Sequence, residues 1–486
     1  MYLGIDLGTS GLKLLLLDEH HHVHATADAA LDVQRPHPLW SEQHPQDWWQ
    51  ALEQAVAELR AKAPAAWAKV RGIGLSGQMH GAVLLNKDSE VLRPAILWND
   101  GRSASQCIAL ETAEPASRQI TGNLAMPGFT APKLLWVREH EPDLFDRVDK
   151  VLLPKDWLRL KMTGESVSDM SDASGTLWLD VSKRRWSEAM LKACGLTLSQ
   201  MPRLIEGSSQ SAYLTRDLAT RWGLRGQVFV AGGAGDNAAS AVGIGATRAG
   251  EGFISLGTSG VAFMVTDTYQ SAPELAVHAF AHAVPNRWHQ MAVMLSAASA
   301  FGWITRLTGS ASEAALATHV ESLSLQQQAT APIFVPYLNG ERTPHNNALA
   351  SGSFVGLRSE HGATDLAYAV MEGVAFGLAD GLAAMNHLKP TTQPLALVGG
   401  GARNNAWAQL LASTLGRPMF RPQGAHAAAA LGAARLAWLA DGATQELVCQ
   451  ALPTEVAFEP NTEQAHMLAK RYDRFKALYP ALLMHF

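Results

Sequence analysis

The pentapeptide Leu-Gly-Thr-Ser-Gly occurs twice in this chain, at residues 7–11 and again at residues 256–260. Each copy stands between two strand-like apolar runs. Its glycines permit a tight turn with exposed backbone N–H groups, and its hydroxyls add donors, so each copy can hold phosphate oxygens. A chance repeat of a common turn sequence is the alternative. The shared strand–turn–strand context favours two related domains that close on one nucleotide.

Composition narrows the class of protein. A length of 486 residues with 47% hydrophobic residues supports two large domains. The net charge of -5 and the absence of a Lys/Arg block argue against nucleic acid or an anionic membrane as a partner, and favour a small molecule. Cys107, Cys194 and Cys449 are too widely spaced for a disulfide framework or a metal knuckle. With no basic leader and no apolar run near the ~20 residues that span a bilayer, we expect a cytoplasmic protein.

The order of elements predicts an α/β fold. Residues 2–5 and 12–17 are expected to form a hairpin, followed by a helix from Pro45 and a strand at 70–75. The second half repeats the hairpin at 252–255 and 261–265. A long helix at 365–385 and a buried strand at 395–398 follow, and the strand ends in a glycine-rich turn. We therefore predict two domains, residues 1–246 and 247–486.

Two charged residues flank the first loop. Asp6 ends the first strand, where a carboxylate can hold a hydrated Mg²⁺ that bridges nucleotide phosphates. Lys13 can approach the same phosphates. The alternative is a turn-capping acid and an exposed strand charge, but the repeated loop beside them favours the phosphate site.

A second carboxylate, Asp236, follows the run Gly232-Gly233-Ala234-Gly235, whose small residues would let a substrate approach the backbone. In phosphoryl transfer an aspartate accepts the proton of the acceptor hydroxyl, and this role suits Asp236. Asn237 could hold a neighbouring hydroxyl. The alternative is that Asp236 serves as the N-cap of the Ala-rich helix that follows.

The loop at 77–81 places Gln78, Met79 and His80 between two glycines after a strand. Such a loop can offer donors and acceptors to a polyol, although a lone His or Met is more often structural. Downstream, Trp98 with the polar residues at 99–102 could supply an aromatic wall and polar fingers for a sugar.

The chain resembles the FGGY carbohydrate kinases over nearly its whole length. The resemblance rests on DLGTSGLK (6–13), GFTAPKLLW (128–136), SLGTSG (255–260), GSFVGL with DLAYAVME (352–357 and 365–372) and LVGGGARNNAW (397–407). Within the family it is greatest to kinases of D-xylulose, through GLSGQMHG (74–81), LWNDGR (97–102), GGAGDNAA (232–239) and PYLNGERTPHNN (336–347). It implies the two-domain actin/hexokinase-like (ribonuclease H-like) ATPase fold, with a nucleotide cleft between the domains.

The resemblance also implies roles for single residues. Asp236 would be the catalytic base, and Asp6 a catalytic residue on the metal side. Sugar contacts would come from Met79, His80, Trp98, Asp236 and Asn237. ATP would be bound through Thr9, Ser10, Gly11, Lys13, Gly257, Thr258, Gly400, Gly401 and Asn405.

The implied reaction transfers phosphate from Mg²⁺-ATP to O5 of D-xylulose in its acyclic form, because ring closure to the furanose consumes O5. L-ribulose, glycerol or gluconate could be the acceptor instead, since sibling kinases share the phosphate machinery. A nucleotide-switch protein of the actin or chaperone type is the alternative from another class. Family behaviour suggests a homodimer.

Overall fold

Two seven-stranded sheets, one from each half of the chain, form the framework of the computed structural model, which describes residues 1–387 and 393–486. In the first sheet the strands lie in the order β5-β6-β4-β1-β2-β3, and β7 pairs with the end of β4. The strands are β1 (Tyr2–Leu7), β2 (Gly11–Leu17), β3 (Val23–Ala30), β4 (Gly72–Gly77), β5 (Gln210–Tyr213), β6 (Phe229–Ala231) and β7 (Ala234–Gly235).

The second sheet repeats the central arrangement of the first. Its order is β10-β11-β9-β8-β12-β13-β14. The strands are β8 (Gly252–Leu256), β9 (Gly260–Thr266), β10 (His278–Ala281), β11 (Trp288–Met294), β12 (Leu395–Val398), β13 (Met419–Pro422) and β14 (Thr454–Phe458). In each sheet the strand before an LGTSG loop pairs antiparallel with the strand after it and parallel with a third strand. The predicted hairpins and α/β class are thereby confirmed.

Helices cover both sheets, and five pairs of short strands complete the fold. The helices are α1 (Pro45–Lys62), α2 (Pro64–Trp67), α3 (Ala104–Ala113), α4 (Ser117–Thr121), α5 (Thr130–His140), α6 (Pro142–Phe145), α7 (Pro154–Thr163), α8 (Met170–Ser174), α9 (Glu188–Ala193), α10 (Arg216–Trp222), α11 (Asp236–Ile244), α12 (Ala298–Leu307), α13 (Glu313–Glu321), α14 (Leu325–Thr330), α15 (Ala363–Ala384), α16 (Asn405–Leu415), α17 (Ala428–Ala440), α18 (Gln445–Val448) and α19 (Thr462–Leu482). The short pairs are Glu42–Gln43 with Ala95–Ile96, Val83–Leu85 with Lys150–Leu152, Val167–Asp169 with Arg203–Ile205, Leu179–Asp180 with Arg185–Trp186, and Ile333–Val335 with Ser353–Val355.

The strand predicted at 70–75 lies two residues further on, as β4. Parallel pairing with β1 sets its start, because Tyr2 lies opposite Gly72. The middle glycine, Gly74, lies under α17, and a Cβ there would stand 1.7 Å from the carbonyl oxygen of Ala433. The backbone of α17 therefore lies directly on this strand.

Helix α17 belongs to the second half of the chain but packs on the first sheet. A Cβ on Gly4 of β1 would meet the Ala430 carbonyl oxygen at 1.9 Å. Helix α17 also crosses α11, where a Cβ on Gly432 would lie 1.8 Å from the carbonyl oxygen of Ala239. The two halves of the chain are therefore in close contact at this crossing. The domain boundary at 246/247 stays a prediction.

Helix α15 is long and apolar enough to cross a membrane by length and composition, which corrects the expectation that no apolar run approaches that length. Of its most apolar window, 83% is buried inside the protein. It packs in the core with residues such as Leu397 of β12 and Trp407 of α16. The core helix of a globular protein passes the same test, so this is weak evidence for a membrane span.

Candidate active site

Two carboxylates lie at the ends of β1 and β7, two strands of the first sheet that both pair with β4. Asp6 lies opposite Ser76 in the pairing of β1 with β4, and Asp236 directly follows β7, whose Gly235 pairs with Gly77 of the same β4. The Ser76 hydroxyl donates to Asp6 Oδ1 at 2.9 Å. Burial raises the pKa of the Asp236 carboxyl to about 6, and the negative charge of Asp6 adds to the rise. The first sheet thus brings the two predicted catalytic carboxylates together.

Asn237 holds one oxygen of the Asp236 carboxylate. Its backbone N–H and its side-chain amide both donate to Asp236 Oδ1, at 2.7 and 2.9 Å. The other oxygen, Oδ2, has no hydrogen-bond partner within the described part of the protein. Asp236 is the first residue of α11 and Gly235 is its N-cap, so the alternative that Asp236 caps this helix is wrong. A half-buried carboxylate with one free oxygen can accept a proton from a bound hydroxyl.

His80 is held in a left-handed backbone conformation, with φ at 69°. Its ring Nδ1 lies 2.7 Å from the carbonyl oxygen of Gly175, which can only accept, so Nδ1 carries the proton and Nε2 is free to accept. Burial lowers the pKa of the His80 imidazole to about 3, with a further lowering from the charges of Lys133 and Arg342. His80 is therefore a neutral hydrogen-bond acceptor at physiological pH.

Two residues of α5 donate hydrogen bonds to the backbone carbonyl oxygen of His80. Lys133 Nζ donates to the His80 carbonyl oxygen at 2.8 Å, and the Thr130 hydroxyl donates to the same oxygen at 3.1 Å. Both side chains are fully buried, and burial lowers the pKa of Lys133 well below its ordinary value. Sequence reasoning assigned neither residue a role, although both lie in the motif at 128–136.

Met79 and Trp98 differ in exposure, and their contacts with a sugar stay predictions. Met79 is 5% exposed, and its thioether packs so closely on Gly235 that a Cβ there would lie 2.8 Å from the sulfur. Trp98 is 44% exposed and its indole N–H donates to Thr9 Oγ1 at 2.9 Å. Met79 therefore supports the loop before Asp236, while Trp98 keeps almost half of its surface exposed.

The interpretation of residues 99–102 as polar fingers for a sugar is wrong for the two charged residues. Asp100 and Arg102 are buried and pair with each other at 2.7 Å. Arg102 also pairs with Glu42 and lies 3.6 Å from the centre of the Trp40 ring. A buried guanidinium needs such partners. Because Arg102 is engaged by them inside the protein, it does not extend toward a sugar.

Both LGTSG loops present free backbone donors. No residue of the described ranges accepts a hydrogen bond from the N–H groups of Thr9, Ser10, Thr258 or Ser259. Two carbonyl oxygens of the second loop are occupied, since Gly257 O accepts from the Ala298 N–H at 2.9 Å and Thr258 O from the Ala297 N–H at 3.0 Å. The loops therefore offer donors where phosphate oxygens need them. Lys13 was predicted to approach the same phosphates. In the structure its Nζ pairs with Asp28 Oδ1 at 3.1 Å.

A cavity of about 850 Å³ adjoins the second loop. Of the residues predicted to bind nucleotide, five line it: Gly257, Thr258, Gly400, Gly401 and Asn405. Sequence reasoning missed others that line it from α12, α13 and the glycine turn, namely Phe301, Gly302, Arg306, Glu313, Ala317 and Arg403. The residues of α12 and α13 lie in no local motif, so the sequence held no signal for them, whereas Arg403 lies within the motif at 397–407.

Profiles of one family match both halves of the chain. The N-terminal domain of the FGGY family of carbohydrate kinases matches residues 1–243, and its C-terminal domain matches residues 252–440. The chain belongs to the FGGY family of carbohydrate kinases. It is an enzyme that uses ATP to phosphorylate a small-molecule sugar. These matches do not favour the nucleotide-switch alternative.

Within this family, the chain is similar to proteins that are named xylulose kinases. A xylulose kinase of Escherichia coli (strain K12) is 50% identical over 486 residues, 99% of each chain. A xylulose kinase of Bacillus subtilis (strain 168) is 34% identical over 98% of this chain and 96% of its own. The crystal structure of a xyloylose kinase from Brucella ovis superposes with a TM-score of 0.96 at 49% identity and covers both chains fully.

Proposed function

We propose that this protein transfers the γ-phosphoryl group of ATP to O5 of D-xylulose, taken in its acyclic form. The observation that carries the proposal is the half-buried Asp236 carboxylate, which has one free oxygen and a pKa near 6. Asp236 follows β7, and the neutral acceptor His80 follows β4, the strand with which β7 pairs. Relatives that share half of the sequence over its whole length are named xylulose kinases, which supports this acceptor.

The chemistry follows from the protonation states of these groups. Asp236 accepts the proton of O5 as that oxygen attacks the γ-phosphorus, and Asn237 keeps its carboxylate in place. His80 Nε2 accepts a hydrogen bond from a second hydroxyl of the sugar, which selects an orientation. Backbone N–H groups of Ser10 and Thr258 bind the phosphate oxygens. The ADP–phosphate bond breaks as the bond to O5 forms.

Magnesium is the second part of the proposal. No group of three or more His, Cys, Asp or Glu side chains in the described ranges could hold a metal alone. Mg²⁺, however, is commonly bound by one or two carboxylates together with substrate phosphates and water. Asp6 fits that need, because only its Oδ1 is engaged by Ser76 and burial raises the pKa of its carboxyl, which a cation would reverse. Bound there, the ion would neutralise phosphate charge.

The test measures ADP formation with Mg²⁺-ATP over a panel of D-xylulose, L-ribulose, D-ribulose, glycerol and gluconate, with a control without sugar. We expect D-xylulose to give the highest kcat/KM. A higher value with another acceptor would leave phosphoryl transfer in place and refute xylulose as the substrate. Hydrolysis that no sugar stimulates would refute the transfer itself.

Assembly and location complete the proposal. A homodimer is inferred from family behaviour, and light scattering of the purified protein tests it. A cytoplasmic location agrees with three free cysteines, all of them buried.

A further inference from the structure

Three side chains form a closed hydrogen-bond circuit behind the first phosphate loop. Thr9 Oγ1 lies 2.9 Å from Gln78 Oε1, and Gln78 Nε2 lies 2.9 Å from Gln43 Oε1. Gln43 Nε2 returns to the backbone carbonyl oxygen of Thr9 at 2.7 Å. Both glutamines are almost fully buried. We call these residues the Thr9 circuit, and Trp98 is attached to it through Thr9 Oγ1.

A donor-only group fixes the direction of every bond in the Thr9 circuit. The indole N–H of Trp48 donates to Gln43 Oε1 at 3.0 Å, so that atom must be the amide oxygen. The amide nitrogen of Gln43 then faces two carbonyl oxygens, those of Thr9 and Asp32. Gln43 Oε1 can take only an N–H from Gln78, which leaves the oxygen of Gln78 facing Thr9. The Thr9 hydroxyl must therefore donate to Gln78.

This direction determines what Thr9 can offer a nucleotide. Its hydroxyl has one proton, which Gln78 accepts, and Trp98 donates to one of its lone pairs. The side chain is thus a connector, while the backbone N–H of Thr9 remains free for phosphate. One end of the connection is the half-exposed ring of Trp98, and the other is Gln78, the residue before Met79 and His80.

We propose that the Thr9 circuit couples occupancy of the acceptor site to the geometry of the first phosphate loop. Gln43, Gln78 and Trp98 are then positioning residues that act through Thr9. A sugar seated against Trp98 and His80 restrains both ends of the circuit and so holds the loop in its binding geometry, whereas a water molecule does not. The circuit therefore suppresses transfer to water. This inference rests on the proposed acceptor site but not on the identity of the sugar.

The test is the coupling ratio, the rate of ADP formation with the best acceptor of the panel divided by the rate without sugar. Thr9→Val keeps the shape of the side chain and removes its hydroxyl, and Trp98→Phe removes the indole N–H. We expect each to lower the ratio about 10-fold, the order of magnitude for one lost hydrogen bond to a buried partner. The double variant should lower it no further than Thr9→Val alone. Thr9→Ser should restore the ratio.

Trp186→Phe is the matched control, because its half-buried indole donates at 2.9 Å to the Pro202 carbonyl oxygen and has no part in the circuit. An unchanged ratio in Thr9→Val would overturn the inference. So would effects of Thr9→Val and Trp98→Phe that multiply in the double variant, since independent sites multiply. A best acceptor other than D-xylulose would refute the proposed substrate only, because the ratio is measured with whichever sugar reacts fastest.

Discussion

Desolvation acts in opposite directions on Asp236 and His80, the two titratable groups of the proposed sugar site. Burial disfavours the charged form of each, so the pKa of the acid rises to about 6 and the pKa of the imidazole falls to about 3. One group becomes a base that works near neutral pH, and the other becomes a permanent neutral acceptor. Local motifs predicted both residues, but only their surroundings set these properties.

Asp236→Asn should lower kcat roughly 10²- to 10⁴-fold, the range for loss of a general base, with nucleotide affinity retained. In the unmodified enzyme kcat/KM should fall as the pH drops below about 6, because protonated Asp236 cannot accept a proton. Rapid-quench assays measure the turnover of the variant, nucleotide titration measures its affinity for ATP, and rates over a series of pH values measure the fall in kcat/KM. Near-normal turnover in the variant would contradict the assignment.

The same variant should melt at a higher temperature than the unmodified protein. An acid whose pKa is raised on folding contributes stability at low pH, and that contribution is lost as the pH rises through its folded value. The gain from Asp236→Asn should therefore be larger at pH 8 than at pH 5. Thermal denaturation at both pH values measures it, and an equal gain at both would show that the carboxyl is not perturbed.

Thr130→Val tests the contribution of the hydrogen bond from Thr130 to the backbone of His80. The variant removes one of two donors to the His80 carbonyl oxygen, and we expect the KM for sugar to rise about 3- to 10-fold with the KM for ATP unchanged. Thr130→Ser should restore the KM for sugar. Thr121→Val is the control, since that buried hydroxyl donates to the Ser117 carbonyl oxygen away from the site. Equal changes in the two KM values would indicate a general loss of structure.

At the scale of elements, helices α11 and α17 cross in close contact, with a glycine of each helix at the crossing. Gly432 of α17 lies against the Ala239 carbonyl, and Gly243 of α11 lies against the Ala428 carbonyl, where a Cβ would approach to 1.9 Å. Helix α11 begins at Asp236, so this contact sets where the proposed base stands. The sequence predicted the helix after Asp236 from its alanines, but nothing in its local pattern indicated a partner almost 200 residues later.

Gly432→Ala should lower the free energy of unfolding by roughly 1–3 kcal/mol, the usual cost of overpacking, because backbone atoms cannot move aside as a flexible side chain would. It should also reduce kcat, since α11 has to shift. Urea denaturation and steady-state kinetics measure the two effects. Gly362→Ala is the control, because its Cβ would meet its nearest atom at 3.9 Å. A stable variant with normal kcat would show that the crossing does not position Asp236.

Over the whole molecule, the proposed acceptor residues His80 and Asp236 follow strands of the first sheet, and the cavity proposed for the nucleotide adjoins the loop of the second sheet. Phosphate would have to be held by loops from both, so each ligand should favour the arrangement that binds the other. Together, a non-hydrolysable ATP analogue and D-xylulose should raise the melting temperature by more than the sum of their separate effects. Differential scanning fluorimetry measures this. Strictly additive shifts would show that the two sites bind independently.

The sequence by itself determined the local framework: the two LGTSG hairpins, the helix after Asp236, the strand at 395–398 and the family. Short-range patterns suffice there, because turn geometry and side-chain periodicity depend on neighbouring residues. Tertiary structure decided the rest. Gln43, Gln78 and Trp98 meet Thr9, and Lys133 meets His80, from positions tens of residues apart. Strand register and helix packing set those distances, and hydrogen-bond direction follows from partners that no local pattern identifies.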